Sequence, residues 1–147
     1  MKKIKEHLTA GGVIYDKGKV AMLRDRWGQL VIPKGHVEKY EDIRQAAKRE
    51  IMEETGYLHL KKIADFGKTE FDYQVGREKH HKVLHQFLFE LEDKKQDPNL
   101  LEEHEIYDLV WLGIDEAIKK AAFENTRDLL KKIKQYYQES ANRQKST

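Results

Sequence analysis

Three carboxylates lie close together in the first half of the chain. Glu50, Glu53 and Glu54 fall within five residues. Residues 42–54 contain neither Gly nor Pro, and Gly56 follows at the position of a C-terminal cap, so the segment predicts a helix. Residues at i, i+3 and i+4 of a helix are neighbours on its surface. Three carboxylates placed in this way can share one positively charged ligand.

The apolar residues of this helix test the alternative of a solvated acidic face. At 100° per residue, Ile43, Ala46, Ala47 and Ile51 form one apolar stripe. Glu50 and Glu54 fall inside the same sector, and Glu53 falls at its edge. A solvated face would place the acids opposite the stripe. Partly buried like charges repel and lose solvation, so they need a compensating cation.

Two kinds of compensation fit the residues. The chain has no Cys, and a set of oxygen ligands suits a hard divalent cation, Mg²⁺ or Mn²⁺. Arg49 lies beside the three acids, so a structural Arg–Glu pair is the rival explanation. The spacing alone leaves both open.

The surrounding pattern predicts one α/β domain. Apolar and β-branched residues on either side of Asp16-Lys17-Gly18 predict a hairpin. Strands are expected at residues 8–15, 19–24, 30–32, 58–63, 64–73, 83–91 and 108–112, and helices at 42–54, 115–122 and 124–137. Trp111 and Phe123 are expected in the core. We expect the domain to cover residues 1–138 and a flexible tail to cover residues 139–147.

Composition limits the classes of function. The 147 residues are 39% hydrophobic and 37% charged, with a formal net charge of +2. Such a balance gives no reason to expect a dedicated nucleic-acid or membrane partner. The absence of Cys excludes disulfides and thiolate chemistry and fits a reducing, cytoplasmic location. We expect a monomer or a homodimer.

The helix and the loop before it carry a known signature. Gly35, Glu41, Arg49-Glu50-Ile51, Glu53-Glu54 and Gly56-Tyr57 have the spacing of the Nudix box, the motif of hydrolases that act on nucleoside diphosphates linked to another moiety. Tyr57 stands where the pattern usually has an aliphatic residue. The chain therefore resembles the Nudix family. The resemblance implies an α/β/α sandwich with a mixed β-sheet between helices.

The resemblance also implies roles for the residues of the box. Glu50, Glu53 and Glu54 would be catalytic residues and ligands of Mg²⁺, with Mn²⁺ as an alternative, and Gly35 would offer its backbone carbonyl. Glu50 would also orient or deprotonate the attacking water. Glu41 and Arg49 would fix the loop and the helix. Among the acids at 102–105, Glu103 is the choice for an additional ligand or base, against a solvated acidic loop.

Residues near the box point to a polyphosphate substrate. The stretch "PKGHVE" resembles the branch that cleaves diadenosine polyphosphates, which implies phosphate contacts for Lys34 and His36. Lys79 and Lys82 belong to a basic stretch before a strand and are further candidates. Tyr107 is the candidate for stacking on adenine, with Tyr73 second. The expected partner is a small-molecule nucleotide.

Other readings of the same residues remain open at this point. The same chemistry could act on nucleoside triphosphates (oxidised ones included), RNA 5′ ends, nucleotide sugars or inositol pyrophosphates. A binding or regulatory domain without turnover is a third possibility, although the intact box argues against it. Any one of the basic residues could also be an ordinary solvated side chain.

Overall fold

The computed structural model describes residues 3–101 and 107–145. Within these residues the elements, in chain order, are β1 (Ile4–Asp16), β2 (Lys19–Arg24), β3 (Leu30–Val31), β4 (Lys34–His36), α1 (Ile43–Thr55), β5 (Leu60–Val75), β6 (Glu78–Leu91), a short 3-10 turn (Pro98–Leu100), β7 (Asp108–Gly113), α2 (Ile114–Lys120) and α3 (Glu124–Lys145). None of the helices in this part of the chain is both long and apolar enough to span a membrane.

The strands form one mixed sheet. Its order is β3-β2-β1-β6-β5, while β4 pairs with β1 and β7 pairs with β2. The central β1–β6 pair is parallel, with Ile4 opposite Lys79 and Tyr15 opposite Glu90. The other pairs are antiparallel. Two strands that are far apart in the sequence, β1 and β6, therefore lie side by side at the centre of the sheet.

Alternation along the strands divides the core into two layers. Ala10 and Ile14 of β1 pack with α1 on one face, whereas Val13 packs with α3 on the other. The α1 layer also contains Ala46, Ala47, Ile51, Phe87 and Phe89. The α3 layer contains Met22, Leu84, Leu88, Leu129, Leu130 and Ile133. The predicted α/β/α sandwich is confirmed.

Several elements match the predicted pattern closely. The β1–β2 hairpin turns at Lys17 and Gly18, both with positive φ, and Tyr15 lies opposite Val20. Helix α1 begins after Asp42 and ends at Gly56, whose φ of 80° is left-handed. Trp111 packs partly buried against the α1 layer, as predicted, and its Nε1 donates a hydrogen bond to the Tyr57 hydroxyl at 3.0 Å.

Several elements differ from the sequence prediction. Strands β1 and β6 begin earlier than predicted, at Ile4 and Glu78, so Lys79 and Lys82 lie within β6 and not before it. The two strands expected at 58–63 and 64–73 are one long strand, β5, whose register shifts between Asp65 and Lys68. Gly67, with a φ of 79°, takes up this bulge and donates its N–H to Asp65 at 2.7 Å. Strand β4 was not predicted because its three residues are extended only through pairing with β1. Helix α3 continues to Lys145, so residues 139–145, expected in a tail, are helical.

Candidate active site

Helix α1 is fixed at both ends, and this sets the positions of its carboxylates. Asp42 accepts a hydrogen bond from the Gln45 backbone N–H at 2.8 Å, and the Gln45 side chain accepts one from the Asp42 N–H at 3.1 Å. This reciprocal pair is a capping box. At the other end, the Gly56 N–H donates to the Met52 carbonyl at 2.8 Å. The three acids therefore lie on a helix that cannot easily rotate or fray.

Strand β4 brings the backbone of the preceding loop against two of these acids. A Cβ built on Gly35 would lie 2.1–2.3 Å from the carboxylate atoms of Glu50, so only glycine allows this approach. The Lys34 backbone N–H donates to Glu54 Oε2 at 3.2 Å. The side chain of Glu50 is only 13% exposed. The carboxylates thus converge on β4, and the helix wheel correctly predicted that they are partly buried.

Arg49 is the centre of the hydrogen-bond network around the acids. Its guanidinium donates to Glu41 at 2.7 and 3.0 Å and to the His36 carbonyl at 2.9 Å. Its Nη1 donates to Glu50 at 2.9 Å and lies 3.2 Å from Glu53 Oε2. The structural Arg–Glu pair considered in the sequence analysis is therefore present. It joins the loop to the helix.

The contact between Arg49 and Glu41 shifts the pKa values of both side chains. Hydrogen bonds from Arg49 hold the pKa of the Glu41 carboxyl below its ordinary value, and the same pair raises the pKa of Arg49. A carboxyl whose pKa is lowered by folding stabilises the protein above its unfolded pKa. That stabilisation is lost as the pH falls through the lowered, folded-state pKa.

Glu41→Gln tests this contribution. At neutral pH we expect a loss of about 1–2 kcal/mol in the free energy of unfolding, because the negative charge opposite Arg49 is removed and Gln offers one acceptor oxygen where Glu offers two. Thermal unfolding should show a decrease in Tm of about 3–6 °C. The difference from the unmodified protein should shrink as the pH is lowered. The control is Glu116→Gln, since the exposed Glu116–Lys120 pair should contribute little. An equal effect of both changes would contradict the expectation.

The acids of the box have the donor atoms that a divalent cation needs. Glu50, Glu53 and Glu54 offer carboxylate oxygens, and Gly35 adds a backbone carbonyl on the adjacent strand. These are ligands that Mg²⁺ accepts, together with water and substrate oxygens. Within residues 3–101 and 107–145, no three His, Asp or Glu side chains are already grouped closely enough to hold a metal ion. Arg49 occupies part of the space between Glu50 and Glu53. The donor chemistry fits, and the acids would have to turn toward a common point.

A cavity of about 560 Å³ lies on the other side of β4. Its charged and aromatic lining comprises Lys34, Lys82, Glu70, Glu124, Phe71, Tyr73 and Phe123. Phe123 is 49% exposed, so its predicted place in the core is wrong. The residue stands between α2 and α3, where its ring borders the cavity rather than packing beneath it.

Two lysines lie close together in this cavity, whose lining also contains Glu70 and Glu124. In the described part of the chain, no carboxylate forms an ion pair with the side chain of Lys34 or Lys82. Partial burial, and secondly the charge of nearby Lys34, lowers the pKa of the Lys82 amino group. Two neighbouring cations that form no ion pair among the described residues are suited to binding an anion.

The other predicted site residues lie outside this cavity. His36 is on β4, with its imidazole against His7. Lys79 lines a neighbouring depression together with His80 and Tyr73, and Tyr73 borders both this depression and the cavity. Residues 79 and 82 point to opposite faces of β6. Tyr107 immediately precedes β7 and is 39% exposed. Glu103 lies outside the described residues.

Sequence reasoning missed two aromatic residues of the cavity. Phe71 was not considered, and Phe123 was assigned to the core. The alternation of Phe71 and Tyr73 along β5 is a signal for one face of a strand. That face is left uncovered by α3, which the sequence alone did not show.

Comparison with known proteins decides the family. The family model of the NUDIX domain matches residues 5–133. The chain belongs to the Nudix family. The box predicted from the sequence is therefore part of a domain-wide match, and the protein is an enzyme that hydrolyses phosphoanhydride bonds.

Two curated relatives are similar over most of this Nudix domain. The asymmetrical bis(5'-nucleosyl)-tetraphosphatase of Rattus norvegicus is 37% identical over 105 residues, which cover 71% of this chain and 69% of the relative. The protein of the same name from Sus scrofa is 39% identical over 106 residues, with the same coverage.

Solved Nudix structures share the fold. The Ap4A hydrolase of C. elegans superposes with a TM-score of 0.65 at 26% identity, covering 89% of this chain and 98% of that chain. A NUDIX hydrolase from Nitrosomonas europaea superposes with a TM-score of 0.64 at 25% identity, covering 90% of this chain and 89% of that chain. These superpositions support the sheet order and the placement of the helices described above.

Proposed function

We propose that the protein is a Mg²⁺-dependent hydrolase of dinucleoside polyphosphates, with diadenosine tetraphosphate as the preferred substrate. The observation that carries this proposal is the cavity, where Lys34 and Lys82, which pair with no carboxylate of residues 3–101 and 107–145, lie beside Phe71, Tyr73 and Phe123. Such a cavity suits a ligand with a chain of phosphates and an aromatic base. The names of the mammalian relatives and of the C. elegans structure support the same substrate class.

The two lysines would bind the phosphate chain. Their amino groups carry positive charge in a partly desolvated setting, where attraction to phosphate is stronger than in bulk water. An anion would also offset the repulsion between them, which contributes to the lowered pKa of Lys82. Binding should therefore weaken as the pH rises and Lys82 loses its proton.

The aromatic residues would hold one nucleobase. Phe71 and Tyr73 lie on the same face of β5, and Phe123 borders the cavity from the helical side. Stacking between a base and aromatic rings stabilises binding without strong dependence on the identity of the base. This arrangement would leave the phosphate chain directed toward Lys34 and β4. Tyr107, outside the cavity, remains a candidate for the second base.

The carboxylates would carry the hydrolytic step. Glu50, Glu53, Glu54 and the Gly35 carbonyl would hold Mg²⁺, or Mn²⁺, which when bound neutralises phosphate charge and makes water a better nucleophile. Glu50 would accept a proton as the water oxygen forms its bond to phosphorus and the bridging P–O bond breaks. Arg49 would keep the loop joined to the helix through Glu41, at 2.7 and 3.0 Å, while Glu50 and Glu53 turn toward the ion. Glu103 would add a ligand or a second base.

A substrate panel tests the proposal. The purified protein with Mg²⁺ should hydrolyse diadenosine tetraphosphate with a higher kcat/KM than nucleoside triphosphates or nucleotide sugars. Lys34→Ala and Lys82→Ala should each raise KM by about tenfold or more, since each removes a charged contact of about 1.5 kcal/mol or more. Lys61→Ala, on the exposed part of β5, is the control and should change little. A preference reversed by more than tenfold would refute the assigned substrate.

A further inference from the structure

Three imidazoles form a continuous hydrogen-bonded row beside the cavity. His7 Nδ1 lies 3.2 Å from His36 Nε2, and His7 Nε2 lies 2.8 Å from His80 Nδ1. The three residues come from β1, β4 and β6. We call this row the histidine array. It brings together residues that are far apart along the chain.

The histidine array continues the wall of the cavity. Tyr73, which lines the cavity, stacks on His80 with ring centroids 4.7 Å apart and planes within 7°. His7 stands directly opposite Lys82 in the β1–β6 register, and Lys82 also lines the cavity. A ligand held by the lysines would therefore meet the histidine array at one end of the cavity.

The hydrogen-bonding capacity of the row leaves a donor available. Each neutral imidazole has one N–H. The two hydrogen bonds within the row use two of the three N–H groups. The third N–H must therefore point outward, from either His36 Nδ1 or His80 Nε2. His80 is 8% exposed, and its Nε2 has no hydrogen-bond partner in the described part of the chain. Buried polar atoms are normally paired, so this atom is suited to an acceptor on a ligand.

Few negative charges compete for this position. Glu78 Oε2 lies 3.4 Å from His80 Nε2, but without hydrogen-bonding geometry, and Glu78 is already paired with Lys5 at 3.1 Å. Among the described residues, no carboxylate forms an ion pair with His7 or His36. Glu78 is thus the one carboxylate that these ion pairs place beside the histidine array within the described residues, and Lys5 balances its charge.

We propose that the histidine array is a second anion subsite, which binds phosphates of the substrate chain beyond those held by Lys34 and Lys82. This inference rests on the proposed function, because it takes the cavity to hold a phosphate chain. The outward imidazole N–H donates to a phosphate oxygen, and Lys82, opposite His7 in the register, adds positive charge. The subsite is filled only by a chain long enough to extend past Lys82. The histidine array therefore selects substrates by the number of phosphates.

Binding of inorganic polyphosphates to the full chain tests this subsite without metal or turnover. Pyrophosphate, tripolyphosphate and tetrapolyphosphate are titrated calorimetrically in the presence of EDTA. We expect the unmodified protein to bind the longest chain at least about tenfold more tightly than pyrophosphate. His7→Phe and His80→Phe keep a ring in the stack but remove its N–H groups, and they should abolish this gain while changing pyrophosphate binding less than twofold.

Two further variants separate donation from packing. His7→Gln retains an N–H donor and should recover part of the gain, which a purely structural role would not explain. His81→Phe is the matched control, since His81 neighbours His80 but pairs with Asp72 on the opposite face of β6. The affinity of the His81→Phe variant should increase with polyphosphate length as much as that of the unmodified protein. Far-UV circular dichroism confirms that each variant is folded.

The outcomes also distinguish this inference from the proposed substrate. Loss of the chain-length gain in the Phe variants supports the subsite, even if the substrate panel favours nucleoside triphosphates. Equal weakening at every length, no change, or no measurable binding of any polyphosphate to the unmodified protein would overturn it. In those cases a measured preference for diadenosine tetraphosphate would leave the proposed function standing.

Discussion

Glu53→Gln and Glu54→Gln should each reduce kcat by at least about a thousandfold, while Tm changes by no more than about 3 °C. Each change removes a negative charge but keeps the shape of the side chain. A thousandfold loss corresponds to about 4 kcal/mol of transition-state stabilisation, within the range expected when a bound cation is lost from a hydrolytic site. Steady-state hydrolysis of diadenosine tetraphosphate with saturating Mg²⁺ provides the measurement.

Binding of Mn²⁺ provides a second readout for the same variants. Titration followed by electron paramagnetic resonance should show a higher Kd for Mn²⁺ in both variants than in the unmodified protein. Glu92→Gln, an exposed acid after β6, is the control and should retain normal binding and turnover. Rates at the level of the unmodified enzyme in either Glu53→Gln or Glu54→Gln would refute the assigned roles.

Gly35→Ala should reduce kcat by about a hundredfold without unfolding the protein. The added methyl group would lie 2.1–2.3 Å from the Glu50 carboxylate, so that carboxylate must move away from β4. Misplacement of a catalytic group by about 1 Å can reduce the rate by two orders of magnitude. Kinetics at saturating substrate, together with Tm, measure the effect.

Gly113→Ala is the matched control for this change. Gly113 ends β7, and a Cβ built there has nothing within 4 Å. The two variants make the same chemical change, so any difference between them reports the environment of the glycine. If Gly35→Ala retained more than half of the activity, Glu50 would not need its observed position against β4.

The parts of the site that could be predicted from sequence are local. The acids, Arg49 and the Gly56 cap lie on one helix, where a period of 3.6 residues fixes their relative positions. The contact between Glu41 and Arg49 also spans only a loop and two turns. Short-range geometry of this kind depends little on the rest of the fold.

The cavity could be predicted only in part because it depends on distant pairings. Lys34 and Lys82 were named from their surroundings in sequence, but their common position follows from β4 and β6 both flanking β1. The exposure of Phe123 depends on how α3 crosses the sheet. The histidine array joins three strands, and no local pattern relates His7 to His80. In contrast, the alternation of side chains along a strand would have predicted that Lys79 and Lys82 point to opposite faces of the sheet.

The parallel pairing of β1 with β6 has a consequence for the order in which the enzyme forms. Helix α1 and the β1–β2 hairpin contain contacts between near neighbours, which can form early. The β1–β6 register joins Ile4 to Lys79, and such long loops close slowly. The carboxylate helix is therefore expected to exist before the surface that receives the substrate. Because Phe123 and the start of α3 also line the cavity, that surface can be completed only after these residues have emerged from the ribosome.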